Sequence, residues 1–111
     1  IVITGIPLCR DGQDEIGTAA LDEGEGQTPF FVSLPRVGSG YPGTGDLFAS
    51  VLLGCLLSGI SFARAVELSS RFTRSVILRS LEYDTPVREG VALEPSLKEL
   101  SCLIEKREFS C

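Results

Sequence analysis

The sequence predicts an α/β layer arrangement in which one strand and a β-hairpin are followed by two or three helices. Short β-branched runs are concentrated before residue 35, whereas apolar positions at helical spacing dominate after residue 44. A glycine-flanked turn, Gly43-Thr44-Gly45-Asp46, joins the two regions and opens directly into the run Leu47-Phe48-Ala49-Ser50-Val51-Leu52-Leu53.

Ile1 to Thr4 is β-branched throughout and stops at Gly5, which suits a strand buried on both faces of a parallel sheet. Pro7 to Glu15 is polar and turn-rich and reads as a loop. Ile16–Leu21 and Thr28–Leu34 flank the acidic, glycine-containing stretch 22–27, the pattern of a hairpin with a solvated tip. A cation held by the acids of 22–25 is the weaker reading of that tip. A second loop, Pro35 to Pro42, leads to the glycine turn. From Thr44 or Asp46 a helix runs to about Ser58, apolar on nearly all sides and therefore central to the core. Gly59 stands where a helix C-terminus favours glycine.

Ser61 is placed to cap a second helix reaching roughly Glu82, with Ala65, Val66, Phe72, Val76 and Ile77 able to share an inner face. Arg64, Arg71, Arg74 and Arg79 on the same stretch read as a solvated face. Asp84 to Gly90, with Pro86, is a turn. Pro95 then opens a short terminal helix on which Leu97, Leu100 and Ile104 recur at helical spacing.

The start of the first helix is where these residues suggest chemistry. The first N–H groups of a helix lack partners within it, and the helix dipole adds partial positive charge there, so the turn can hold an anion. Glycines at 43 and 45 let a phosphate approach the backbone without meeting Cβ atoms. Asp46 sets a carboxylate at the mouth, and a base beside a phosphate cradle suits phosphoryl transfer to a hydroxyl. The ordinary alternative is a glycine turn in which Asp46 merely caps the helix.

Composition narrows the classes. The 111 residues suit one domain, 1–111, and 43% hydrophobic with 23% charged residues describes an ordinary folded protein. Ten basic against fifteen acidic residues give a net charge of −5, and no basic cluster points to nucleic acid. The longest apolar stretch, Leu47 to Leu57, is interrupted by Ser50 and Gly54 and is too short to span a membrane. No signal peptide is recognisable, so a cytoplasmic setting is expected. Four cysteines at 9, 55, 102 and 111 show no C-x-x-C spacing and no histidine accompanies them, so no metal ligand set is expected. Nor does their spacing suggest a disulfide framework. Cys55 reads as a small buried hydrophobe. The chain opens in a core-like strand without an initiator methionine, which leads us to expect that an earlier part is missing.

Gly43-Thr44-Gly45-Asp46-Leu47-Phe48-Ala49, followed by Leu-Leu-x-x-Leu-Leu-x-Gly, resembles the carboxy-terminal part of pyridoxal (pyridoxine) kinases of the ribokinase-like superfamily. Val2-Ile3-Thr4-Gly5-Ile6-Pro7 is similar to the strand and loop before their nucleotide site, and Ala-x-Glu-Leu-Ser-Ser-x-Phe to their adenine-side helix. The resemblance covers nearly all of this chain but less than half of a family member. Sugar kinases of the superfamily usually carry Gly-Ala-Gly-Asp at this turn. Hydroxymethylpyrimidine kinases usually place cysteine where Asp46 stands.

The resemblance implies an α/β, ribokinase-like fold, in which the chain is the ATP- and phosphoryl-handling portion of a larger kinase. It assigns Asp46 as the general base for a B6 vitamer's hydroxymethyl group, and Gly43, Thr44 and Gly45 as the anion hole. Thr4 and Gly5 would lie near the ATP phosphates or ribose. Leu34 and Val37 would line the adenine cleft, with Phe72 and Val76 as further candidates. Magnesium would accompany ATP, and the family often uses a monovalent cation such as potassium. The family's vitamin pocket and magnesium-managing acids lie mostly in a half that this sequence lacks. The isolated chain is therefore expected to be inactive, and its exposed sheet edge to favour a homodimer. A non-catalytic nucleotide-binding module, or a sugar or hydroxymethylpyrimidine kinase, remains the alternative.

Overall fold

An antiparallel three-stranded sheet, in the order β1-β2-β3, packs against two long helices in the computed structural model, which describes residues 1–24, 28–38, 41–83, 86 and 89–106. The strands are β1 (Val2–Arg10), β2 (Gln13–Ala20) and β3 (Phe30–Pro35), and the helices α1 (Thr44–Leu57), α2 (Phe62–Glu82) and α3 (Leu97–Lys106), the last preceded by a 3₁₀ turn at Glu94–Ser96. The α/β class and the order of strands before helices are as the sequence predicts.

The first strand differs from its expectation. β1 is an edge strand, mostly exposed and antiparallel to β2, not a doubly buried parallel strand. It runs on through the stretch expected to be a loop. Pro7 is tolerated because an edge strand has one hydrogen-bonding side free. Asp11 (φ 51°) and Gly12 (φ 79°) make a two-residue turn, and both left-handed conformations fit the hairpin twist. Gly5 does not end the strand. With φ 72° it sits in a bulge, where the register steps from Ile3↔Ala19 to Ile6↔Gly17 and Thr4 and Gly5 together oppose Thr18.

The second hairpin is as expected, with β2 and β3 paired from Glu15↔Pro35 to Ala20↔Phe30. At its tip the Gly24 N–H donates to Asp22 Oδ1 at 3.0 Å, an ordinary Asx turn; residues 25–27 lie outside the described residues. Alternation along the strands turns Thr18, Ala20 and Val32 toward the helices. Ala20, Phe48 and Val66 form the core there, with Phe30 and Phe62 edge to face at 5.8 Å between centroids.

A second core unites the helices around Val51, Cys55, Leu68, Phe72, Val76 and Leu103. α1 buries only one side. Leu53, Leu56 and Leu57 are exposed, Leu57 by 80%, so the apolar wrap expected to mark a central helix instead leaves a bare face. Gly59 (φ 82°) ends the helix region as expected, and Ser61 caps α2 by accepting from the Arg64 N–H at 3.4 Å. Ala65, Val66, Phe72 and Val76 face inward, while Ile77 is only half-buried. In α3 the buried anchor is Leu103, with Leu100 and Ile104 packed beside the same core, while Leu97 at the start of the helix is 48% exposed.

The arginines of α2 are more engaged than a solvated face implies. Arg64 and Arg71 both reach Glu67, at 2.6 and 3.5 Å, and Arg79 joins Glu99 of α3 at 3.0 Å. Cys55 is buried and free and Cys9 exposed and free. Cys102 is disulfide-bonded, a pairing that the spacing did not suggest. The Asp84–Gly90 turn falls mostly outside the described residues. Among the described residues no helix is long and apolar enough to cross a membrane.

Candidate functional site: a cleft ending at a bare helix start

A cleft of about 250 Å³ opens between the sheet and α2 and ends at the first turn of α1. β2 and β3 supply Ile16, Thr18, Val32 and Leu34, and the following segment adds Pro35, Arg36, Val37 and Gly38. Opposite them stand Ser70, Thr73, Arg74 and Ile77, which share one face of α2 through their i, i+3, i+4, i+7 spacing. Thr4 and Gly5 border the cleft because the β1 bulge turns this short segment out of the regular ladder. Thr44, Gly45 and Phe48 bring in the start of α1.

The helix start is chemically bare. Gly43 is the N-cap in a left-handed conformation (φ 86°), so no side chain caps the first turn. The first intrahelical bond is donated by the Leu47 N–H to the Gly43 carbonyl at 2.9 Å, which leaves the N–H groups of Thr44, Gly45 and Asp46 without helical partners. Asp46 is the third helical residue and not the cap. Its backbone carbonyl accepts from Ser50 Oγ at 2.8 Å, and its side chain is exposed with no described partner.

Gly45 is not in a positive-φ conformation, and a Cβ built there meets nothing within 4 Å among the described residues. Neither backbone conformation nor packing requires a glycine at this helical position, where it costs about 1 kcal/mol against alanine. The space above it is open.

The charge pattern is one-sided. Arg36 and Arg74 line the cleft and, among the described residues, no carboxylate does, although acids outnumber bases in the chain. The arrangement offers an apolar slot for a flat group, a cationic mouth, and a row of backbone donors for an anion.

No protein-family model matches this chain, and comparison with curated proteins gives no match either. Solved structures do match. A protein from Bacteroides thetaiotaomicron assigned as a phosphomethylpyrimidine kinase, crystallised with pyridoxal, superposes with a TM-score of 0.79 at 31% identity over 90% of this chain. Its other crystal form gives 0.74 at 30% identity. Pyridoxal kinase from Lactobacillus plantarum gives a TM-score of 0.75 at 30% identity over 96% of this chain. The fold is that of a ribokinase-like, pyridoxal kinase-like fragment. The chain spans about a third of the length of these kinases, 34% of the pyridoxal-bound structure and 37% of pyridoxal kinase.

Within this pyridoxal kinase-like fold, six of the residues singled out from the sequence, Thr4, Gly5, Leu34, Val37, Thr44 and Gly45, line the one cleft. Gly43 and Asp46 adjoin it at the helix start without lining it. Phe72 and Val76, named as further adenine-side candidates, are fully buried in the helical core and do not reach it. The α2 residues that do line it, Ser70, Thr73, Arg74 and Ile77, lie one helical step away and were missed. A polar-to-apolar boundary along α2 was the available signal. Tyr41, 4% exposed at the cleft's edge, was also missed, being an aromatic in a glycine-rich loop.

Proposed function

We propose that the chain is the ATP- and phosphoryl-handling portion of a pyridoxal kinase-like phosphotransferase acting on the hydroxymethyl group of a B6 vitamer. The observation that carries the reading is Gly45, a glycine that the fold does not require, under open space at an uncapped helix start bordering the cleft. Support for the vitamin comes from the pyridoxal in one similar structure and from pyridoxal kinase as another.

In this reading the adenine enters between Leu34 and Val37 on one side and Ile77 on the other, while Thr4 and Gly5 flank the sugar or phosphates. The N–H groups at 44–46 stabilise charge developing on the transferred phosphoryl group. Asp46 accepts the proton as the substrate hydroxyl attacks the γ-phosphate, and its exposed carboxylate, without a partner among the described residues, leaves it free to do so. Among the described residues no group of three or more His, Cys, Asp or Glu could hold a metal. Magnesium would accompany the nucleotide on its phosphates, whose charge it offsets. A monovalent cation such as potassium belongs to the same proposal.

Because the chain spans a third of its kinase neighbours, the vitamin pocket would come from further polypeptide, and this chain alone would bind ATP without turnover. Calorimetric titration with ATP tests the binding. Asp46→Asn in the complete enzyme tests the chemistry, with pyridoxal phosphorylation expected to drop by a factor of 10² or more and ATP affinity to hold. An unchanged turnover would remove Asp46 from the role of base.

A further inference from the structure

The α2 wall of the cleft holds a hydroxyl that the fold leaves unused. Thr73 lines the cleft, and its Oγ1 is the one buried side-chain polar atom without a hydrogen-bond partner among the described residues. Other hydroxyls on the same helix are committed. Ser69, Ser70 and Ser80 donate to the carbonyls of Ala65, Val66 and Val76, at 2.7, 2.9 and 2.8 Å. Thr73 makes no such bond, although a helical threonine has the carbonyl four residues back within reach.

The neighbouring polar groups have other work. Ser70 has spent its proton on Val66, and Arg74 donates from Nε to the Pro35 carbonyl at 2.8 Å from an exposed position at the mouth. Thr73 is thus the hydroxyl of this wall whose proton is unspent among the described residues, beside Ile77 and facing Thr18, Leu34 and Val37. A buried hydroxyl without a partner is costly, and native structures rarely leave one unless a ligand or water completes it.

We infer that Thr73 is a specificity-determining residue that hydrogen-bonds the edge of the nucleotide's purine base; this rests on the nucleotide reading above. The residue lines the cleft while its Oγ1 atom is buried. Threonine χ1 is shared between two wells in helices, so the hydroxyl can turn outward when a base arrives. A hydroxyl both donates and accepts, and it can therefore meet either an exocyclic amine or a ring nitrogen. Leu34, Val37 and Ile77 would hold the ring plane and Thr73 its orientation.

Thr73→Val and Thr73→Ser separate this from a structural role. The two substitutions are compared by thermal melting without ligand and by calorimetric titration with ATP and with inorganic tripolyphosphate. Expected for Thr73→Val are an unchanged or higher melting temperature, ATP binding weakened about tenfold, and tripolyphosphate binding equal to the unsubstituted chain. Thr73→Ser should keep ATP affinity within about threefold. Equal ATP affinity in Thr73→Val and the unsubstituted chain would overturn the assignment and leave the nucleotide reading standing. Failure of the unsubstituted chain to bind ATP would overturn both. A melting temperature lowered in Thr73→Val, with ATP and tripolyphosphate weakened together, would mark Thr73 as structural.

Discussion

Arg74 of α2 donates from Nε to the carbonyl of Pro35 at 2.8 Å, tying the end of β3 to the helix that faces it across the cleft. The bond spans 39 residues of sequence and closes the wall on which Leu34 and Val37 stand. Its donor is exposed, so its contribution to stability is small, roughly 1 kcal/mol or less. Its contribution to cleft shape is larger. Arg74→Ala should lower the melting temperature by only a few degrees while weakening ATP binding severalfold. Arg74→Lys, which lacks the planar fork, should not restore affinity. Melting curves and ATP titrations on the same samples check both.

Gly45→Ala opposes fold and function at one position. The backbone there is helical and the added methyl meets nothing within 4 Å among the described residues, so the fold should gain up to about 1 kcal/mol from alanine's helix propensity. The same methyl would stand in the open space where the proposal puts a phosphate. Urea unfolding should shift to a higher midpoint, and tripolyphosphate and ATP binding should fall tenfold or more. A gain in stability with no loss of binding would show that the phosphate lies elsewhere.

The helices were legible because caps and periodicity agreed: Ser61 before α2, Gly59 after α1, and the inward series Ala65, Val66, Phe72 and Val76. The β2–β3 hairpin was legible from two strand-like runs around an acidic turn. The β1–β2 hairpin was not, although Asp11-Gly12 carries the strongest two-residue turn signal. Pro7 and the polar residues after it argued for a loop, and an edge strand is the one setting that tolerates both. Gly5 reads as a strand end in the sequence and is a bulge in the structure, an ambiguity that a single glycine in a strand pattern always carries. The glycine turn was conspicuous in the sequence. The α2 wall was not, because Thr73 and Arg74 differ from the core residues Phe72 and Val76 only by helical phase, which tertiary packing fixes.

The outer face of the sheet depends on one glycine. The Phe31 ring of β3 lies over Gly17 of β2 so closely that a Cβ there would overlap the ring. Aromatic cover of a strand glycine restores packing that the missing side chain forfeits. Gly17→Ala should therefore destabilise the chain only modestly, by about 1 kcal/mol, because the added methyl meets the far end of a half-exposed ring, and Phe31 should be driven further into solvent. Phe31→Leu in the Gly17→Ala background should recover part of the loss by making room. Urea unfolding of the single and double substitutions tests the coupling.

The burial of Cys55 predicts a loss of stability at alkaline pH. Cys55 is wholly buried between α1 and α2, and burial pushes its thiol above the ordinary value of 9.0, with a side-chain hydrogen bond between Cys55 and Ser69 opposing only part of the rise. In the unfolded chain the thiol loses its proton near its ordinary value, while in the folded chain it keeps it to higher pH. Between those two values the unfolded state binds fewer protons, so stability must fall as pH rises. The stabilisation is complete below pH 9.0 and is lost progressively above it, through the raised folded value. Cys55→Ala should flatten that decline, at the cost of a small cavity near Leu68 and Phe72. A thiol reagent at neutral pH should modify exposed Cys9 promptly and Cys55 only as fast as the chain opens. Denaturation midpoints measured from pH 7 to pH 10.5 on the two chains read the difference directly: parallel declines would mean that another group, not Cys55, governs alkaline unfolding.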